Sequence, residues 1–339
     1  MGILSRLFGR EEPDDAHDDR QLAEMVESVI RLSPRLRLAP HCQRRLEAAV
    51  GTALEYLGGL VASQVAAREA SPAAWASDPC IHAFFGSPDD VSKVVSQSGP
   101  LRTLFKRQAS LQEAWAVLGM ALDERRTLGV AQEGDATRQD VLLTTVSFSD
   151  HQLRICAADE IALKEEIVRR MVDQLALEGL GRIAADDSRR EDLEKERALL
   201  ATRLRLLERQ QTGMRSVVGS AAGADAGARA RLRKEMEEND RGLASLGTRS
   251  ETLERQLDHI CEVFAEPVPL LQVSKRQVRL SRMNVVLDAS AGEAGELVEF
   301  GLARVPGNPP RDRAFALVRV ARAHVQAPRS RLADAERLL

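Results

Sequence analysis

Residues 232–264 read LRKEMEENDRGLASLGTRSETLERQLDHICEVF, with apolar side chains returning every three or four positions. Placing a at 236, 243, 250, 257 and 264 puts d at 232, 239, 246, 253 and 260, and only Asn239 and Ser250 interrupt the seam. A repeat of 3.5 is the signature of a helix that buries one narrow stripe against another helix. Leu193, Leu200, Leu204, Leu207 and Met214 form a weaker seam of the same period, flawed at Arg197 and Gln211. Between the seams lies RSVVGSAAGADAGARA (215–230), whose small residues suit a turn. The simplest geometry is an antiparallel coiled-coil hairpin with arms of roughly 45–55 Å at 1.5 Å per residue. The expected seam is Leu193, Leu200, Leu204, Leu207, Leu232, Met236, Leu243, Leu246, Leu253, Leu257, Ile260 and Phe264. The hairpin either closes within one chain or leaves apolar surface for a further helix, from this chain or another.

A preceding helix, 160–183, carries Ile161, Val168, Val172 and Leu175 on one stripe and leads into the hairpin through weak points at Gly179 and Gly181. Strand-like alternation flanks this helical region on both sides. Upstream, residues 125–159 suggest a three-strand meander with turns at Glu133-Gly134-Asp135 and Ser149-Asp150. Downstream, PLLQV, QVRLSRMNVVLD, ELVEFGLARV and AFALVRVARAHV are separated by Gly, Pro, Asn and Asp clusters, and the second run changes phase between Leu280 and Met283 as a bulge would. Seven such strands can close around a core. In 19–126 the stripes Leu22, Val26, Val29, Ile30 and Leu46, Val50, Leu54, Leu57, Val61 predict five or six short helices, with Asp78-Pro79 and Ser87-Pro88 as start signals.

The expectation is an α+β protein. An amphipathic segment and acidic linker (1–18) precede an all-α helical domain (19–126). A small, mostly antiparallel β domain (127–158 and 267–326) is interrupted by the hairpin insertion (159–266), and a helical tail (327–339) ends the chain.

Acidic and basic residues number 51 and 48, giving a formal charge of -3, so no strong field is available to hold a nucleic-acid backbone. Nucleic acid is disfavoured as a partner. Cys42, Cys80, Cys156 and Cys261 form no CxxC pair, which fits a reducing cytoplasm. The apolar stretch 46–67 is broken by Glu47, Glu55 and Gln64 and is too short between charges to span a bilayer. Abundant arginine and alanine read as GC-rich coding and a bacterial source.

His41-Cys42 and Cys80-Ile81-His82 contain the residue types of a tetrahedral zinc site, but their spacing matches no standard ligand pair. No phosphate-binding loop, dinucleotide fingerprint, metalloprotease helix or nucleophile elbow occurs, so neither a cofactor nor a catalytic residue is assigned. Basic residues at Lys275, Arg276, Arg279 and Arg282 precede Asp288-Ala289-Ser290 and a glycine-bearing turn. This stretch resembles PilZ domains, whose RxxxR and [D/N]xSxxG elements sit on a small β-barrel and bind cyclic di-GMP. The resemblance gives Lys275, Arg279, Asp288 and Ser290 as ligand contacts, with Lys275 in place of the first arginine, Glu293 at the last glycine position and Gly292 one position early.

As a helix, Ile3, Leu4, Leu7 and Phe8 make one face of the first ten residues, with Arg6 and Arg10 on the other. That pattern resembles the amphipathic start of the phage-shock-protein A family of peripheral membrane coiled-coil proteins. The segment is either a weak interfacial anchor at the inner face of the membrane or simply an end. The expected function is therefore a non-enzymatic coiled-coil scaffold or adaptor, oligomeric through self or another protein and peripheral to the membrane. A ligand-sensing β module and an enzyme with an unrecognised site are the alternatives.

Overall fold

The computed structural model describes residues 15–133, 136–212, 222–247, 251–287, 295–305 and 311–325. The protein is α+β, with helices at the N-terminal side and a long helical segment interrupting an antiparallel sheet. It divides into two compact units, one made of Met1–Asp18, Leu54–Met171 and Pro267–Leu339, the other of Asp19–Ala53 and Val172–Glu266.

In chain order the helices are α1 (Asp15–Leu32), α2 (Cys42–Ala62), α3 (Pro72–Ser77), α4 (Pro79–Phe84), α5 (Pro88–Gln97) and α6 (Gly99–Arg107), then α7 (Glu160–Thr212), α8 (Ala222–Ser245) and α9 (Thr252–Ala265). The strands are β1 (Arg68–Glu69), β2 (Glu113–Glu133), β3 (Ala136–Ala157), β4 (Val273–Leu280), β5 (Glu296–Val305) and β6 (Arg311–Ala321). Four of the short helices start at Ser or Asp caps. Ser71, Asp78, Ser87 and Ser98 accept hydrogen bonds from the backbone N–H groups of Ala74, of Cys80 and Ile81, of Asp90 and of Leu101. A proline at the first or second helical position completes each start.

The sheet runs β3-β2-β6-β5-β4, with β1 parallel to β6 through Arg68↔Val318 and Glu69↔Arg319. Its ends meet. After β4 the chain reverses in a tight turn, where the N–H of Asn284 donates to the Ser281 carbonyl and Asn284 takes φ +55°. Val286 then bridges Leu280 while Val285 bridges Thr145 on β3, so β4 and β3 are joined and the sheet closes into a ring. Helices α3 to α6 fill one end of that ring. Phe84 from α4 meets Phe148 and Phe300 from the sheet at centroid distances of 5.0 and 6.4 Å, and those two rings lie 5.2 Å apart. On the outer face of the sheet, the first turns of α7 cover Leu317 of β6 and Ala157 at the end of β3 with Leu163.

Several sequence expectations are corrected. Strand β2 begins at Glu113, inside the stretch 19–126 expected to be all helical. Its inward residues, Ala114, Ala116, Leu118 and Met120, alternate and are all buried, but Ala, Leu and Met are strong helix formers and hide a two-residue period. The expected three-strand meander is one long hairpin, β2 with β3. Ser149-Asp150 is no turn: the register slips between Gly119 and Ala121, β3 accommodates an extra residue, and Asp150 adopts φ +50°. The Glu133–Asp135 turn falls partly on residues 134–135, outside the described residues, with Glu133 and Ala136 paired on either side. PLLQV is not a strand, because β4 starts only at its last residue, Val273. The phase change after Leu280 is the tight turn rather than a bulge, and the described sheet has six strands, not seven. Gly179 and Gly181 do not interrupt α7, which is continuous from Glu160 to Thr212. Asp288, Ser290, residues 1–14 and the tail 327–339 lie outside the described residues.

Candidate functional site

In the helical unit α8 runs antiparallel to α7. Pairings at successive levels establish the direction: Arg190 with the Leu246 carbonyl, Leu193 with Gly242 and Asn239, and Arg197 with Asp240. Of the expected seam residues, Leu193 lies at this contact, against Gly242. Leu200 and Leu246 are buried, Leu193, Leu204, Leu207, Leu232, Met236 and Leu243 are half-buried, and the intervening charged positions are exposed. Beyond the break in the second arm, Leu257, Ile260, Val263 and Phe264 of α9 are buried and Leu253 is half-buried. A backbone φ of +75° at Gly247 ends α8, and the Arg190 guanidinium donates to the carbonyls of Leu246 (2.7 Å) and Gly247 (3.2 Å) left free there. Ser250, the expected flaw of the second seam, lies outside the described residues.

Asn239 is the polar member of the seam, 5% exposed. Its amide nitrogen donates to the Leu193 carbonyl and to the Glu196 carboxylate, both at 3.1 Å, while its Oδ1 is buried without a hydrogen-bond partner. That arrangement costs stability, yet it ties α8 to one level of α7. A one-heptad slip would break both bonds. Two residues reinforce the alignment near the base: the His259 imidazole lies 2.9 Å from the Asp186 carboxylate, and Gly179 lets Ile260 approach so closely that an added Cβ would stand 2.5 Å from its Cδ1.

The seam does not account for all apolar residues of α7. Leu177, Leu199 and Leu206 are 53%, 51% and 55% exposed. At 100° per residue they fall within about 40° of one another, roughly a third of a turn round the helix from the seam. Leu199 and Leu206, one heptad apart, make an exposed apolar pair spanning about 10 Å, while Ser188, Asp192 and Lys195 separate them from Leu177 on that face.

The remaining candidate residues are distributed as follows. Lys275 and Arg279 share the outer face of β4 and are exposed, the Arg279 Nε donating to the Gly295 carbonyl at 3.3 Å. Cys80 is buried in α4, where the Glu299 N–H donates to its sulfur at 3.4 Å and burial pushes its thiol up. His82 packs on Trp75 with ring centroids 4.5 Å apart. Cys156 is held by burial up to about 11, with the Ser98 hydroxyl opposing. Such thiols pack as small apolar groups. Among the described residues no three His, Cys, Asp or Glu side chains stand close enough to hold a metal, and no helix is long and apolar enough to cross a membrane.

Sequence reasoning missed one feature of the β unit. Strand β5 pairs with β6 only through residues 301–305, and upstream of that point the two strands part. The fork is lined by Arg68, Glu299, Phe300 and Leu317, and Arg68 forms an ion pair with Asp78 at 2.9 Å. Burial opposes the Arg68 charge, but its bond to Asp78 and the nearby Cys80 and Glu299 hold it raised overall. A partly buried charge pair serves fastening as readily as recognition. No local motif signals the fork, since its lining comes from three separate stretches, around Arg68, Phe300 and Leu317. Neither a family model nor a curated protein nor a solved structure matches the chain.

Proposed function

We propose that the protein is a non-enzymatic scaffold that assembles through its helical hairpin, with a second copy of the chain as the first partner. The observation that carries this reading is the exposed pair Leu199 and Leu206, one heptad apart on α7, apolar surface that lies outside the intramolecular seam. Apolar residues on a second face let a helix join an assembly of more than two helices. The buried Asn239 supports it from another side, because a polar seam residue fixes one alignment and therefore one presentation of Leu199 and Leu206. Membrane contact through Ile3, Leu4, Leu7 and Phe8 fits the same scheme, since a ten-residue anchor is weak alone and gains from being presented in several copies.

The test is mass in solution. Light scattering on the full chain should give more than one protomer, and the double variant L199E/L206E, changed only at exposed positions, should return it to one. A monomer at every concentration rejects the proposal. Flotation with anionic vesicles, comparing the full chain with a form lacking residues 1–10, tests the membrane part separately, and equal recovery of both in the soluble fraction rejects that part.

A further inference from the structure

We infer that Cys42, at the start of α2, and Cys261, on α9, form a paired dithiol that closes to a disulfide when a small peroxide reaches it. Two elements of the helical unit meet at this point. Arg45 of α2 donates through its guanidinium to the Asp258 carboxylate of α9, fastening the two helices side by side. Cys42 stands three residues before Arg45 and Cys261 three residues after Asp258. Three residues return to within about 60° of the same helical face and advance about 4.5 Å along the axis. Where the helices run in opposite directions, both steps lead the same way and bring the sulfurs face to face. The surrounding charges agree with this alignment. Burial raises the Cys261 thiol most; Arg45 lowers it, and Asp258, Cys42 and Glu262 raise it further. Burial likewise raises Cys42, with Arg45 and Arg37 opposing. The Arg45 charge thus acts on both thiols, and Cys42 acts on Cys261.

The two differ in access. Cys42 is buried, whereas Cys261 is half-exposed and is the thiol that a solvent-borne oxidant meets first. As thiolate, Cys261 attacks one oxygen of hydrogen peroxide; the O–O bond breaks, the departing hydroxide takes a proton to become water, and Cys261 becomes a sulfenic acid. The Cys42 sulfur then forms the S–S bond by displacing that hydroxyl, which leaves as a second water with the Cys42 proton. The two sulfurs supply the two electrons that reduce one peroxide to two waters. Arg45 stabilises the thiolate that starts the sequence, and a dithiol reductant reverses it. Closure would lock the start of α2 to α9.

The experiment treats the full chain with hydrogen peroxide, blocks the remaining thiols and maps peptides without reduction. A Cys42–Cys261 peptide, lost on adding dithiothreitol and formed faster as pH rises toward the raised thiol range, is the expected result. C42S should instead accumulate a dimedone-reactive sulfenic acid on Cys261, and R45M, which keeps the stem but removes the charge and the ion pair, should slow cross-linking several-fold. Absence of that peptide at every peroxide dose overturns the inference. So does cross-linking that involves Cys80 or Cys156 to the same extent, which would report unfolding rather than a built pair.

Discussion

In the β unit Phe84, Phe148 and Phe300 meet edge to face inside a closed sheet, surrounded by buried residues from four helices and at least four strands. In the helical unit the deeply buried residues come from α1 (Val26, Val29), α2 (Leu46, Val50), the 172–183 part of α7 (Val172, Leu175) and α9 (Leu257, Phe264), and beyond Ile183 the core thins along α7 and α8 to single residues such as Leu200 and Leu246. The two units therefore respond differently to damage. A closed ring shares each core residue among several elements, so losing one loosens all of them. A two-helix seam is a series of nearly independent contacts that can open at one level while holding at the next. The β unit has one stability, and the hairpin has a profile.

The largest expected effect breaks the ring. Phe300→Ala removes the side chain common to two aromatic contacts and should cost about 3–5 kcal/mol, read as an early loss of near-ultraviolet signal in a urea titration. Helical signal from the hairpin should outlast it. Coincident loss of both signals would show that the two units unfold as one. The glycines of α7 sharpen the comparison. Gly179→Ala places a methyl against Ile260 and should cost about 1–3 kcal/mol, whereas Gly181 has nothing within 4 Å, and its change to Ala should gain about 0.5–1 kcal/mol from helix propensity. Equal effects of the two would contradict the close α7–α9 approach. Asn239→Leu removes the unpaired buried oxygen and should stabilise the middle of the hairpin by about 1 kcal/mol, seen as slower amide exchange near Leu193 and Leu200. Its cost should appear as mixed alignments in cross-linking between α7 and α8.

The smallest effect is a pH dependence confined to the β unit. His151 donates from Nε2 to the Phe84 carbonyl at 2.7 Å and stacks on Phe85, with the donor assignment following from that contact. Burial holds its pKa below the ordinary value, against the opposing Phe84 bond and the Asp90 and Asp150 charges. Below about pH 6.5 the unfolded chain therefore binds a proton that the folded one resists, so stability declines as pH falls through that range and is unaffected above it. His151→Gln, which keeps a donor but does not titrate, should flatten this decline. An unchanged slope would place the proton elsewhere.

The helical starts at Asp78 and Ser87 and the positions of β5 and β6 were legible because each is written in consecutive residues. Leu46, Val50, Leu54, Leu57 and Val61 needed only a 3.6 period to be recognised, and all five are buried. Strand β2 was misread because AWAVLGMAL carries helix-forming residues on a strand alternation. Its identity comes from two partners, β3 and β6, the second of them far along the chain. Asp150 looked like a turn for a sound reason, since its positive φ does suit one, but nine paired residues of β6 on β2 keep the hairpin extended and turn the irregularity into a bulge. Of the candidate residues, Leu200, Leu246, Leu257, Ile260 and Phe264 are buried, as apolar residues at helical spacing are expected to be. The exposure of Leu199 and Leu206 on α7 was not legible, because a sequence shows apolar residues without showing which are already covered.

The pairing of β2 with β6 also sets a schedule for synthesis. The inward face of β2, from Ala114 to Met120, has no second neighbour until residues 311–321 have been made, roughly 190 residues later. At 5–20 residues per second that is a wait of roughly 10–40 s, during which an apolar strand edge is open to wrong partners. The contacts within the helical insertion span 43 to 73 residues, as in Asn239–Glu196 and His259–Asp186, and its last helix ends at Ala265, so it can fold within that interval. A nascent chain stalled before Arg311 should therefore hold a finished hairpin beside an unfinished sheet, and it is at this stage, more than in the mature protein, that a chaperone would have something to bind.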